Sequence, residues 1–167
     1  MKKTLIAAAA AAAALTAAPA MAQDFSNVEL YGSLGYAHYD EDVNLGAVQG
    51  RLGARFGRFV GVEGEAAFGV SDDDIGGVDV ELNRQMAIYA VGFVPVGNNF
   101  DIIGRVGVGN TDLEVGGVDV DDDSMNYGVG AQWSWDDNNA IRGDWTRHDF
   151  DNGGDANVWS LSYVRKF

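Results

Sequence analysis

The sequence predicts an all-β chain: an eight-stranded antiparallel up-and-down transmembrane β-barrel, preceded by a cleaved signal peptide. Three observations predict it. The chain opens on a basic head and an alanine-rich apolar run that ends at an export-type cleavage site. The remainder alternates apolar and polar residues with a period of two. The connections between the alternating segments are short and long in turn.

Met1-Lys2-Lys3 supplies the positive head, Thr4 to Ala18 the apolar run, and Ala20-Met21-Ala22 the small residues that a signal peptidase reads. Residues 1–22 are therefore expected to be a signal peptide and residues 23–167 the barrel domain. A membrane-spanning helix fits less well, because the run is shorter than the roughly 20 residues a span needs. Alanine is also only weakly lipophilic.

The mature part, 145 residues from 23 to 167, is long enough for one domain. It has no cysteine, which excludes a disulfide framework and thiolate chemistry. Without Lys2 and Lys3 it carries nine basic residues against twenty-five acidic ones, a formal charge of −16. Such a surface repels nucleic acid and other polyanions unless cations bridge the contact. Pro95 is its one proline among many glycines, a composition that suits many closely packed strands better than long helices.

The alternation defines eight segments. Val28, Leu30, Leu34 and Tyr36 oppose Glu29, Tyr31, Ser33 and Ala37; Val48, Leu52, Ala54 and Phe56 oppose Gln49, Arg51 and Arg55. Val60, Val62, Ala66, Phe68 and Val70 oppose Glu63, Glu65 and Ala67. Residues 84–94 are apolar on both parities, which leaves their facing open. Ile102, Val106 and Val108 oppose Asp101 and Arg105; Tyr127, Val129, Ala131, Trp133 and Trp135 oppose Asn126, Gln132 and Ser134. Ile141 and Trp145 oppose Arg142 and Asp144, and Trp159, Leu161, Tyr163 and Phe167 oppose Ser160, Ser162 and Lys166. Each segment is expected to be about as long as the 9–11 residues that cross a bilayer at a tilt.

Residues 57–59, 95–99 and 136–139 are short turns, whereas residues 40–46, 71–83, 111–124 and 149–157 are longer acidic connections. That asymmetry predicts a barrel with both termini in the periplasm and the long loops outside. Aromatic residues are expected to form two interfacial girdles. Phe56, Phe59, Phe93, Phe100, Trp133, Trp135 and Phe167 fall toward the turn end; Tyr36, Tyr39, Tyr127, Trp145, Phe150 and Trp159 fall toward the loop end.

The stretches GAVQGRLGARFGRFVGVEGEAAFGV and AIYAVGFVPVGNNFDIIGRVGVG, with the chain-terminal LSYVRKF, resemble the outer-membrane protein beta-barrel family, the small eight-stranded barrels of the OmpA, OmpX and opacity-protein type. The resemblance covers essentially the whole mature chain. It implies that Tyr163 and the terminal Phe167 form the signal read by the barrel-assembly machinery. Arg165 departs from the family pattern, which has an apolar or aromatic residue there, but at the headgroups its side chain can snorkel.

On this reading Arg51, Arg55, Glu63, Glu65, Arg105, Arg142 and Asp144 point into the lumen as a salt-bridge network, with Glu29, Asp101 and Lys166 on the same side. Arg51 falls opposite Glu65, and Glu63 falls diagonal to Arg51 and Arg55. Five acids against five bases read as a mutually satisfied plug, and eight strands enclose an interior just wide enough for side chains to fill.

The four long connections hold seventeen of the twenty-five acids and no lysine or arginine. A solvated rim explains them; a low-affinity Ca²⁺ or Mg²⁺ crown, with Asp72, Asp73, Asp74, Asp121, Asp122 and Asp123 as candidate ligands, is the alternative. DIGGVDVEL at 74–82 and EVGGVDVDD at 114–122 share Gly-Gly-Val-Asp-Val, so two similar hairpins are expected, paired with each other. Small enzymatic barrels need a rim histidine with a hydroxyl or carboxylate partner, and only His38 and His148 are available. His148 lacks the His-x-Ser arrangement of the lipid A deacylases, and QDFSNVEL leaves no room for an N-terminal amphipathic helix.

The sequence thus predicts a non-enzymatic, monomeric outer-membrane barrel without a resident cofactor, surrounded by lipid and lipopolysaccharide. The resemblance implies a role in envelope integrity or in adhesion to an unknown extracellular partner. A narrow channel for water, ions or small solutes is the alternative, and a soluble periplasmic barrel would leave the outward aromatics without purpose.

Overall fold

The computed structural model describes residues 28–40, 44–70, 73–75, 78–115, 118–151 and 154–167. The expected signal peptide at 1–22 lies outside the described residues. The elements are β1 (Val28–Asp40), β2 (Asn44–Phe56), β3 (Val60–Gly69), β4 (Asp73–Ile75), β5 (Val78–Pro95), β6 (Phe100–Val115), β7 (Val118–Ser134), β8 (Asn139–Phe150) and β9 (Asp155–Lys166). Each pairs antiparallel with its sequence neighbour in the wall, β1 pairs with β9, and β3 pairs with β5, which closes an eight-stranded barrel. Among the described residues the additional short strand, β4, pairs only with the start of β5 and stands outside the wall.

Following directly opposed residues round the wall leads from Val28 through Phe56, Val60, Gly92, Gly104, Val129, Trp145 and Trp159 back to β1 at His38, a shear of ten residues. With strands about 4.8 Å apart and a rise of about 3.3 Å per residue, that shear fixes a tilt of roughly 40° and a backbone radius of about 8 Å. The lumen is therefore narrow enough to be filled by side chains alone.

The alternation reads onto the wall as expected: Leu30, Leu34, Leu52, Val62, Phe68, Ile102, Val129 and Leu161 are exposed on the outside, and Arg51, Glu63, Glu65, Arg105, Arg142 and Asp144 are buried inside. The open stretch at 84–94 resolves the same way, with Met86, Ile88 and Val94 outward and Gln85, Ala87, Tyr89, Val91 and Phe93 inward. Three girdle assignments are corrected. Phe93 and Tyr39 are buried inside the barrel, and Phe150 is on the inward parity, its ring 6.3 Å from that of His148. Parity, not distance from the turn, decides which side an aromatic ring takes.

Strand lengths also differ from the expectation. β5, β6 and β7 contain 18, 16 and 17 residues, well beyond a bilayer crossing. Their surplus converts the acidic connections into hairpins: Val78 opposes Ile75, and Val115 opposes Val118. Val80↔Val115 and Glu81↔Glu114 join the two hairpins into one four-stranded extension, β4–β5–β6–β7.

Candidate functional site

The charged residues of β2, β3, β6 and β8 meet at mid-lumen because alternate positions on each strand point inward and the register brings Arg51 opposite Glu65. Arg51 donates from Nε to Glu65 Oε2 at 2.7 Å and from Nη1 to Asp144 Oδ2 at 2.7 Å. Its Nη2 donates to Gln49 Oε1 at 2.8 Å and Ser160 Oγ at 3.0 Å. Arg142 donates from Nε to Asp144 Oδ1 at 2.9 Å and from Nη1 to Glu63 Oε1 at 2.5 Å. Arg105 donates from Nη2 to Glu65 Oε2 at 2.9 Å and from Nε to Thr146 Oγ1 at 3.1 Å, with its guanidinium 4.0 Å from the centre of the Tyr89 ring. Three guanidinium groups thus face three carboxylates, a neutral set. A buried set of charges persists only when its members are paired and hydrogen-bonded.

Glu63 is partnered differently from the sequence expectation. Instead of Arg51 or Arg55, it takes Arg142 from the far wall and the Tyr31 hydroxyl, which donates at 2.7 Å. At a backbone radius of about 8 Å, long arginine and glutamate side chains from opposite walls reach each other near the barrel axis. Arg55 forms a separate pair near the short turns: its Nη1 and Nη2 each donate to Asp101 at 3.2 Å, and its guanidinium is 4.3 Å from the Phe93 ring centre. Lys166, at the same end, donates from Nζ to Ser134 Oγ at 3.2 Å, and Glu29 is half-buried there.

Below the charged layer an apolar cluster of Tyr31, Tyr89, Val91, Phe93, Ile103, Ala140 and Val164 fills the lumen; above it Ala37, Tyr39, Ala47, Ala67 and Val158 form a second. The upper cluster is bridged by Gln85, which accepts a hydrogen bond from the Tyr39 hydroxyl and donates from Nε2 to His148 Nδ1 at 2.8 Å. Sequence reasoning missed these three tyrosines and Gln85 as lumen partners. The parity of Tyr31 and Tyr39 on β1 was the available signal.

His148 is buried in the lumen, whereas His38 has the outward parity at the register of Trp159. The wall separates the two histidines, so they share no site. The partner of His148 Nδ1 is the Gln85 amide, not a hydroxyl or carboxylate that a general base could activate.

Of the candidate cation ligands, Asp72 lies outside the described residues, Asp73 and Asp74 are in β4, and Asp121, Asp122 and Asp123 are in β7. β4 and β7 are the outer strands of the four-stranded extension, three spacings or about 14 Å apart. The two acidic groups are thus not brought into one coordination sphere. Among the described residues, no group of three or more histidines, aspartates or glutamates is arranged to hold a metal ion. At the other end Phe167 and Tyr163 are exposed on the outer face, with Tyr163 stacked on Trp135 at 5.9 Å.

A family model described as "Outer membrane protein beta-barrel domain" matches residues 7–167. No curated protein matches the sequence. Among solved structures, the chain is similar to Ail, the attachment invasion locus protein of Yersinia pestis, solved in complex with the heparin analogue sucrose octasulfate. Identity is 19%, the TM-score 0.64, and the match covers 84% of this chain and 99% of that one. It is also similar to the outer membrane protein OprG from Pseudomonas aeruginosa, at 14% identity and a TM-score of 0.65, over 83% of this chain and 95% of that one. The N-terminal β-barrel domain of Pseudomonas aeruginosa OprF matches at 11% identity and a TM-score of 0.63, over 83% and 97%. At these identities the likeness is one of fold.

Proposed function

The chain belongs to the outer membrane protein beta-barrel family, and on that premise we propose that this outer-membrane barrel is non-enzymatic and closed through its lumen. Its work is done at the surface, in envelope integrity or adhesion, by the acidic hairpins outside the membrane, with both termini periplasmic. One observation carries this reading: the mid-lumen is occupied by six paired charges on Arg51, Glu63, Glu65, Arg105, Arg142 and Asp144, each buried. A path for ions would have to break those pairs, and breaking a buried pair costs about 3–5 kcal/mol.

Charge decides which surface partners suit the hairpins. Ail was solved with a polysulfated ligand; the four acidic connections of this chain have no lysine or arginine with which to meet one. A cationic or neutral partner, or a lipopolysaccharide phosphate reached through Ca²⁺ or Mg²⁺, fits instead. Planar-bilayer recording on the refolded protein tests the closed lumen, with no stable unitary conductance expected; steady single-channel steps would reject it in favour of a narrow channel. Calorimetry with Ca²⁺ at physiological ionic strength tests the cation bridge, and the absence of heat would remove it.

A further inference from the structure

Beyond the wall, β5, β6 and β7 continue with β4 as a four-stranded sheet at the long-loop end. Directly opposed residues of an antiparallel ladder share a face, and the faces alternate along each strand. Across β5, β6 and β7 the rows therefore read Leu82, Leu113 and Val120, then Glu81, Glu114 and Asp119, then Val80, Val115 and Val118. Ile75 opposite Val78 carries the aliphatic face onto β4, and Asp74 opposite Asp79 carries the acidic one. One face of the extension is thus aliphatic, with Asp73 opposite Val80 at its margin, and the other is acidic.

A register shift produces this segregation. In the wall Gln85 and Ala87 are buried in the lumen, whereas Arg84 and Met86 are exposed outside. The shift between Leu82 and Arg84 changes the parity of β5, so that Leu82 and Val80 fall opposite Leu113 and Val115. Without it Asn83 and Glu81 would stand there. Leu113 and Val115 follow the buried Thr111 on the lumen-facing parity of β6, so the aliphatic face continues the lumen side above the barrel mouth. The acidic face continues the lipid side. An aliphatic sheet face beyond the hydrocarbon marks a contact surface. All eight wall strands are committed to the barrel, and among the described residues no helix or further strand is left to lie on it.

The chemistry of the occupant follows from what surrounds the face. β1 stands opposite β6 in the closed strand order, and its last residue, Asp40, is exposed. Round the rest of the mouth Asp149 and Asp151 lie at the end of β8, and Asp155, paired with Arg147, opens β9. The mouth therefore has an aliphatic wall on one side and an acidic rim on the other. The wall measures about 13 Å along the strands and about 14 Å across them, room for about two to three turns of one helix with its side chains. A second copy in the same membrane would approach from the lipid side and meet the acidic face with acids of its own. We propose that the mouth binds a cationic amphipathic helical peptide, its apolar stripe on the aliphatic face and its basic side toward the acidic rim. The inference rests on the reading of the outer hairpins as the working surface and names the class of partner they take.

The protein is refolded into nanodiscs of phosphatidylcholine, a lipid without net charge, and titrated into two fluorescein-labelled peptides of the same lysine and leucine composition. In one the order gathers the leucines into a helical stripe; in the other it scatters them. Empty nanodiscs give the lipid background. The striped peptide should bind about ten times more tightly than the scattered one, the scale of a few apolar anchors. Leu113→Ser with Val115→Ser should abolish that preference, as should the milder Val80→Thr with Val118→Thr. Glu81→Gln with Glu114→Gln, on the acidic face, should keep it. Heat-modifiable gel mobility verifies each fold. Equal binding of the two peptides, or a preference that survives both aliphatic variants, overturns the helix site and leaves a surface that attracts cations by charge alone. Absence of binding by either peptide overturns it too, and efficient crosslinking of two copies through Leu113→Cys would make a second copy the occupant. The surface reading fails separately, by steady single-channel steps in a planar bilayer without peptide.

Discussion

Glu63 and Arg142, seventy-nine positions apart in the chain, meet across the lumen with Nη1 2.5 Å from Oε1 and Nη2 3.3 Å from Oε2. The same guanidinium holds Asp144, which Arg51 also holds, so the four residues tie β2, β3 and β8 into one brace. Replacing Arg142 with methionine leaves Glu63 and Asp144 short of positive charge in a dry interior. Urea unfolding in phospholipid vesicles should register a loss of about 3–5 kcal/mol. Adding Glu63→Leu to Arg142→Met should cost less than the sum of the single changes, because the second removes the charge the first stranded. Strict additivity would mean that the two residues do not interact.

Tyr31 lies over Gly53 on the neighbouring strand, and that contact sets the tyrosine against Glu63 and, at 6.3 Å and edge-on, against Phe93. Gly53→Ala would drive a methyl group into the ring. The expected loss is about 1–3 kcal/mol, the range for overpacking a filled interior. In a Tyr31→Ala background the same change should cost little. Gly64→Ala, with open space outside, should stay within about 0.5 kcal/mol of the parent. Equal effects at the two glycines would refute the assignment of Gly53 to the tyrosine.

The wall was legible in the sequence because a half-buried strand writes its facing at every second residue: Leu52 and Arg51, or Val62 and Glu63, declare opposite sides without any neighbour's help. Residues 84–94 did not, since Ala87, Val91 and Phe93 fill the lumen with the same kind of side chain that Met86, Ile88 and Val94 offer to lipid. The members of the charged network were legible, and so was the Arg51–Glu65 pair; the partners that meet across the lumen were not. Arg51 and Glu65 share a hairpin, whose turn fixes the register. Glu63 and Arg142 meet because closure with eight strands puts β8 opposite β3 and a shear of ten brings the two residues to one level, and both are properties of the closed ladder, visible in no single strand. The Tyr39–Gln85–His148 chain was hidden for the same reason.

The two Gly-Gly-Val-Asp-Val hairpins are joined through β5 and β6, where Val80 opposes Val115 and Glu81 opposes Glu114. Cysteines in place of Val80 and Val115 should therefore be bridged readily by a short thiol-specific crosslinker in the folded protein. Glu81, Glu114 and Asp119 occupy directly opposed positions on three strands, and like charges so placed oppose pairing. Crosslinking between positions 80 and 115 should accordingly become faster as salt is raised toward 0.1 M, where the screening length falls to about 10 Å. Yields that are low at every salt concentration would show that the hairpins do not pair in the membrane-embedded protein.

The short turn between β7 and β8 is built on Asp136, whose Oδ1 accepts the backbone amides of Asn138 at 2.9 Å and Asn139 at 2.7 Å and the Asn139 side-chain amide at 2.8 Å. The Asn139 side-chain bond first, then the backbone amides, holds the Asp136 carboxyl below its ordinary range. Asn139 Oδ1 in turn accepts from the Tyr163 hydroxyl and from Arg165 Nη1, so the turn is tied to β9. A carboxyl depressed in the folded state contributes stability that is fully present above its unfolded pKa and is lost as pH falls through the folded one. Asp136→Ala should therefore unfold more easily than the parent at neutral pH, and the difference should close only below the ordinary carboxylate range. Carbon-13 NMR of the Asp136 carboxyl would give its titration directly, and parallel unfolding of the two proteins across that range would give the linkage. A gap between parent and variant that stays constant down to the lowest pH would separate the turn's stability from the charge on Asp136.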